Sequence, residues 1–209
     1  MAAAAMQRQL RRAARHHQSV NLTLAHSDEK LHGFPLSVTT EFVVIGRCYE
    51  WQFDGWAVVP LNNLSGVRSG KFERAAERIL EAEGITRRLR PPPRLRLDQY
   101  ETLFADVMKS RQFIQLETLR QQSRNRESNE KTFLIGPVIA VSGDSLRVHN
   151  FDALGKWDRR PTEVQLDQVA LVELGTQYAA VWSRHLPPRP RSDTQNAGLA
   201  SPAMLAKRR

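Results

Sequence analysis

Only one cysteine, Cys48, occurs in 209 residues, so no internal disulfide can form. It lies within the apolar run Phe42 to Trp51, where a thiol reads as buried and structural, and the expectation is a reducing, cytoplasmic setting. Aromatic residues make up 7% of the chain, and no uninterrupted apolar stretch approaches the roughly 20 residues of a membrane-crossing helix. No glycine-rich phosphate loop, Cys-x-x-Cys pair, nucleophile elbow or His-Glu-x-x-His helix is present. These gaps remove the commonest sequence routes to nucleotide, metal and acyl-transfer chemistry, and the expectation is a non-enzymatic protein with no cofactor.

Positive charge is abundant but unevenly placed. Net charge is +9. Residues 1–18 carry four arginines and no acid, residues 84–97 five arginines and no acid, and residues 184–209 six basic residues against Asp193. Together these segments exceed the whole chain's net charge, so the remaining sequence is mildly acidic. The cations therefore belong to flanks and a linker. The N-terminal segment has two readings, a transit-like targeting segment or a short surface helix from Arg8 to His17. Val20 begins a strand at once, which leaves little room for a cleavage site and favours the helix.

A pattern occurs twice. Gly33 and Val38 recur as Gly136 and Val141 at an offset of 103, while Val59, Leu61, Val67 and Gly70 recur as Val164, Leu166, Val172 and Gly175 at 105. In the first copy Val20 to Ala25, Leu31 to Val38, Phe42 to Phe53, Trp56 to Leu61 and Leu64 to Arg68 read as short strands, with Asp54-Gly55 as a hairpin turn. Phe72, Ala75, Ala76, Ile79 and Leu80 then form a helical stripe that stops at Gly84. Arg87 to Leu97, stiffened by Pro91-Pro92-Pro93, reads as a polyproline linker.

The second copy opens on a helix with Asp98 and Glu101 as a capping box and Tyr100, Leu103, Phe104, Val107 and Met108 as its apolar face. Strands are expected at Phe113 to Glu117, Phe133 to Val141, Ser145 to Asn150, Thr162 to Leu166 and Val169 to Leu174, with a closing helix marked by Tyr178, Val181, Trp182 and His185. Gln121 to Lys131 is a polar loop, and the segment from Pro187 onward has no periodicity and reads as disordered. The division is thus 1–84, a linker at 85–97, 98–186, and a basic tail at 187–209.

With its leading helix, Leu31-x-Gly33, Val38, Phe42-Val43-Val44-Ile45 and Leu64-Ser65-x-Val67, the first copy resembles the Sm-like family of five-stranded barrels, which includes the bacterial Sm-like RNA chaperone. Residues 98–186 look like a divergent second member. The resemblance implies an α+β, mainly β fold: two tandem five-stranded Sm-like or SH3-like barrels, each flanked by short helices. It also implies assembly through paired edge strands, placing the fifth strands, Leu64 to Arg68 and Val169 to Leu174, near barrel edges, where they pair within the chain or between chains. RNA-binding relatives use polar residues in two loops. Here those loops read Thr39-Thr40-Glu41, without the expected aspartate, and Leu61-Asn62-Asn63, without the expected basic residue, while the second copy has Leu166-Asp167-Gln168. The base-binding chemistry is therefore not carried over.

The candidate nucleic-acid residues are Arg87, Arg88, Arg90, Arg94 and Arg96 for phosphate attraction, Asn62 and Asn63 for base edges, and Trp51 and Trp56, with Phe53, for stacking. Asparagines in tight turns also serve the backbone, and aromatics beside a turn also serve as packing pairs. His16, His17, His26 and His32 form a loose metal candidate without ligand spacing, and Asp152 and Asp158 flank Trp157 in a loop. The expected function is a binding module for RNA or a ribonucleoprotein. The alternative is a protein-interaction scaffold or homo-oligomer formed through strand edges, with no membrane association.

Overall fold

The computed structural model describes residues 2–25, 30–92, 94–119 and 132–190. The chain opens with helix α1, Ala2–Arg15. Strands β1 (Val20–Leu24), β2 (Lys30–Val38), β3 (Phe42–Tyr49), β4 (Gln52–Pro60) and β5 (Leu64–Arg68) follow, then helix α2, Lys71–Ala82. The second half runs α3 (Tyr100–Ser110), β6 (Phe113–Thr118), β7 (Thr132–Ser142), β8 (Ser145–Val148), β9 (Thr162–Gln165), β10 (Val169–Leu174) and α4 (Gln177–His185).

All ten strands join one antiparallel sheet in the order β5-β1-β2-β3-β4-β10-β6-β7-β8-β9. The fold is therefore α+β and mainly β, as the strand pattern implied. Two separate closed barrels are not what forms. Within each half the fifth strand crosses to the first, β5 beside β1 and β10 beside β6, so the fourth and fifth strands do not meet. The missing closure is replaced by a seam in which β10 pairs with β4, Val172 opposite Val58 and Leu174 opposite Trp56. One fifth strand, β5, is an edge as expected; the other, β10, is entirely buried and pairs within the chain, one of the two expected pairings, which makes it interior.

The two halves share their backbone wiring. Between fourth and fifth strands the chain makes a 3-10 turn, Leu61–Asn63 in one half and Leu166–Gln168 in the other. Leu61 N donates to Glu41 O at 2.8 Å and Leu166 N to Asp144 O at 2.7 Å; Ala25 N donates to Asn63 O at 2.8 Å and Leu119 N to Gln168 O at 2.7 Å. Gly33 and Gly136 are needed for close approach, because a side-chain carbon would sit 2.3 Å from Gly46 O in the first case and 2.1 Å from His149 O in the second.

Two main cores lie on the sheet. Leu10 and Ala13 of α1 pack with Val20, Leu22, Val43, Ile45 and Val59. Leu103, Phe104 and Val107 of α3 pack with Ile114, Leu116, Val148 and Val172, and this core also takes Phe42, Val44 and Val58 from the first half. The seam is thus hydrophobic as well as hydrogen-bonded.

Several local expectations are corrected. The β3–β4 turn lies at Glu50-Trp51, both with positive φ (44° and 64°), not at Asp54-Gly55, which sits within β4. Asp54 Oδ1 instead accepts from Gln177 N at 2.9 Å, capping α4 across the seam. Helix α1 is longer than the expected surface helix, and its apolar side is buried. Of the α2 stripe only Leu80 is fully buried; Phe72 and Ile79 are exposed, while Glu73 is buried and holds Gly70 N and Arg68. The capping box at Asp98 does not form: Gln99 is the N-cap and Asp98 accepts from the Thr102 hydroxyl. The expected loop at 121–131 and the tail from 191 onward lie outside the described residues, whereas Pro187 to Pro190 are described and follow α4 without helix or strand.

Candidate nucleic-acid interface

Helix α1 carries Arg8, Arg11, Arg12 and Arg15 at i, i+3, i+4 and i+7. At about 100° per residue that spacing confines them to roughly a 100° arc. All four are exposed, while Leu10 and Ala13 on the opposite side are in the core. No acidic residue lies on the helix, and among the described residues none of the four makes an ion pair. The result is a cationic ridge about 10 Å long from Arg8 to Arg15. The even i, i+3, i+4, i+7 spacing was the signal in the sequence, and a charge count alone passes over it.

The linker arginines divide. Arg87, Arg88, Arg90 and Arg94 are exposed. Arg96 is committed to Asp106, with Nε to Oδ2 at 2.9 Å and Nη2 to Oδ1 at 3.0 Å, while its backbone N–H also donates to Oδ2 at 3.0 Å. These contacts, the Arg96 side-chain hydrogen bond foremost, hold the Asp106 carboxyl down at about 2.

The remaining candidates separate. Trp51 is exposed at the β3–β4 turn, whereas Trp56 is half-buried, set edge-on to Phe53 at 5.3 Å, and donates its indole N–H to Arg90 O at 2.7 Å. That contact joins two candidates, but through the backbone carbonyl of Arg90. Asn62 is exposed. Asn63 is buried and its Nδ2 donates to Ala170 O at 2.7 Å, so it ties the 3-10 turn to β10; its Oδ1 has no partner among the described residues. Asn63 therefore serves the seam and does not face a base.

A groove of about 780 Å³ lies between the halves, with the Arg47–Glu173 ion pair crossing it and Tyr49, Trp51, Phe72 and Phe133 exposed around it. His32 lines it too. Burial lowers the His32 pKa against the opposing pull of Glu73 and Glu77, and its Nε2 lies 3.4 Å from Ser19 Oγ. Ser19 is fully buried and its hydroxyl donates to Glu73 O, so this pair presents no accessible nucleophile. Cys48 is buried as expected, and burial pushes its thiol up to about 11.

Among the described residues no group of three His, Cys, Asp or Glu side chains could hold a metal ion; His26 lies outside them. Asp152 orders its loop by accepting from Leu154 N and Lys156 N, and Asp158 accepts from Asn150 Nδ2. No described helix is long and apolar enough to cross a membrane. No family model, curated protein or solved structure matches the chain.

Proposed function

We propose that the chain is a non-enzymatic assembly module, a tandem of two Sm-like units that links copies of itself head to tail through β5 and β9. The seam carries this reading. By the 105-residue repeat β10 corresponds to β5 and β4 to β9, so the β4–β10 contact inside the chain is a template for β9 of one copy against β5 of the next. Transferred to those strands, its register sets Val67 opposite Glu163 and Arg68 opposite Thr162. Both strands stand at the ends of the sheet, with one side unpaired among the described residues. The two ends are unlike, so the contact is heterologous and builds a ring or a fibre, not a two-fold dimer.

Light scattering tests this. The expected mass at micromolar concentration is a multiple of the chain mass that collapses to one chain in Gly66→Lys. A side chain at Gly66 would meet only Thr23, at 3.6 Å and beyond, so β5 accepts it while gaining a charge on its edge. A strict monomer before substitution overturns the proposal.

A second reading, single-stranded RNA as cargo, is favoured by the α1 arginine face. Because the apolar side of α1 is already in the core, the helix cannot insert into a lipid surface, whereas its outer face suits a run of phosphates. With three phosphates neutralised, log affinity should fall against log salt with a slope of about −2, and Arg8→Ala with Arg12→Ala and Arg15→Ala should flatten it. Co-purification that is unchanged by nuclease would remove this reading.

A further inference from the structure

After each half the chain departs along a leucine- and proline-bearing segment, Leu89-Arg90-Pro91-Pro92 and Leu186-Pro187-Pro188-Arg189-Pro190. Each segment is held in the same way. A tryptophan indole N–H donates to the carbonyl of the residue after the leucine, Trp56 to Arg90 O at 2.7 Å and Trp157 to Pro187 O at 2.9 Å. Each leucine is half-buried in an apolar cluster, Leu89 against that of Phe34, Leu80 and Ile85, and Leu186 against that of Phe151 and Ala179.

Leu186 has φ −69° and ψ 145°, the polyproline II conformation. A polyproline II strand makes no internal hydrogen bonds, so its carbonyls are free for an outside donor. An aromatic groove that offers an indole N–H is a recurrent way of reading such a strand.

The two clamps differ in how exchangeable their occupants are. The first segment is tethered between folded halves, and Pro92 is buried. In the second, every residue from Pro187 to Pro190 is exposed. The Trp157 ring is fixed from behind by Phe113 and Phe151, with centroids at 6.1 and 5.6 Å, and a hollow of about 550 Å³ lined by Met108, Arg111, Phe113 and Pro137 runs beside the segment. The receptor side is preorganised and the ligand side is an exposed segment lying on the surface.

We propose that the Trp157 groove is a recognition site for proline-rich peptides of the Leu-Pro-Pro type in a partner protein, occupied in cis by Leu186–Pro190. The resident segment defines the ligand chemistry: a leucine anchor, a polyproline II backbone offering a carbonyl to the indole, and a following base. A tethered ligand competes at an effective concentration in the millimolar range, so the site is masked until that segment is released or outcompeted.

The test titrates acetyl-Leu-Pro-Pro-Arg-Pro-amide into the full chain while the Trp157 indole N–H is followed by nuclear magnetic resonance, its signal assigned by its loss in Trp157→Phe. In a Leu186→Ser, Pro187→Gly, Pro188→Gly chain the peptide is expected to bind saturably and return the indole signal toward its unsubstituted position. The unsubstituted chain should bind at least about tenfold more weakly, and Trp157→Phe in the triple variant, followed through the backbone amide signals of Met108, Arg111 and Phe113 that line the groove, should weaken binding about fivefold to tenfold. No indole shift at several millimolar peptide in either chain overturns the proposal, as does binding that Trp157→Phe leaves unchanged. If the triple variant fails to fold, the titration of the unsubstituted chain decides alone.

Discussion

Gly55 shows how a single residue can serve the whole sheet. Its φ is +75°, and a side-chain carbon there would lie 2.2 Å from Leu174 O, on the strand that crosses from the other half. Gly55→Ala therefore combines a left-handed backbone penalty of about 1–2 kcal/mol with a backbone collision, and a loss of at least about 3 kcal/mol is expected in urea unfolding. Gly84 is the matched control. Its φ is +70° but nothing lies within 4 Å, so Gly84→Ala should lose only the conformational part, about 1 kcal/mol. His32 gives a residue-scale expectation in pH. Its folded pKa lies below the ordinary 6.5, so the unfolded chain takes up the proton first. The stability contributed by neutral His32 is full above that value and declines as pH falls through it toward the folded pKa. His32→Asn should flatten the fall in thermal midpoint between pH 7 and pH 5.

At the scale of elements, β10 is the strand on which both halves depend. Val172 is fully buried between β4 and β6, so Val172→Pro should abolish cooperative folding of the entire chain, measured by loss of near-ultraviolet dichroism, and not merely disturb the second half. Most strands were legible from alternation and turn residues, and the span of β5, Leu64 to Arg68, coincides with its expected limits. Asp54-Gly55 misled because its residue types are those of a hairpin turn, while what selects them is the cap on α4 and the approach of β10. The α2 stripe misled differently. Phe72 and Ile79 have the right spacing for a core face, but burial there goes to Glu73, which caps its own helix and pairs with Arg68. Periodicity reports which residues share a face; it carries no information on whether another element covers that face.

Over the whole molecule the internal repeat was readable, as was the use of a fifth strand for joining; which strand it meets, and that the pairing lies within the chain, was not. Val58 and Val172 pair across more than a hundred residues, and a valine-rich strand reads the same whether its neighbour belongs to its own half or the other. The candidate nucleic-acid surface was legible as charge but not as arrangement: Arg96 is spent on Asp106, Asn63 on Ala170 O, and the α1 ridge emerges only from helical spacing. Because Phe42, Val44 and Val58 belong to the same core as Leu103 and Val172, the two halves should unfold together. Urea curves from Trp157 and Trp182 in a Trp51→Phe, Trp56→Phe chain are expected to superimpose on far-ultraviolet dichroism; separate midpoints would mean that the seam is weak.

The seam also sets a schedule for synthesis. Strand β4 is complete and paired with β3 once Pro60 has been made, but its partner on the other side is not available until Leu174, and at about 5–20 residues per second that interval is roughly 6–23 s. Throughout it, Ala57, Val58 and Val59 form an open apolar edge on a chain still attached to the ribosome. A translational pause anywhere between the two strands prolongs that exposure and favours pairing between neighbouring nascent chains on one messenger.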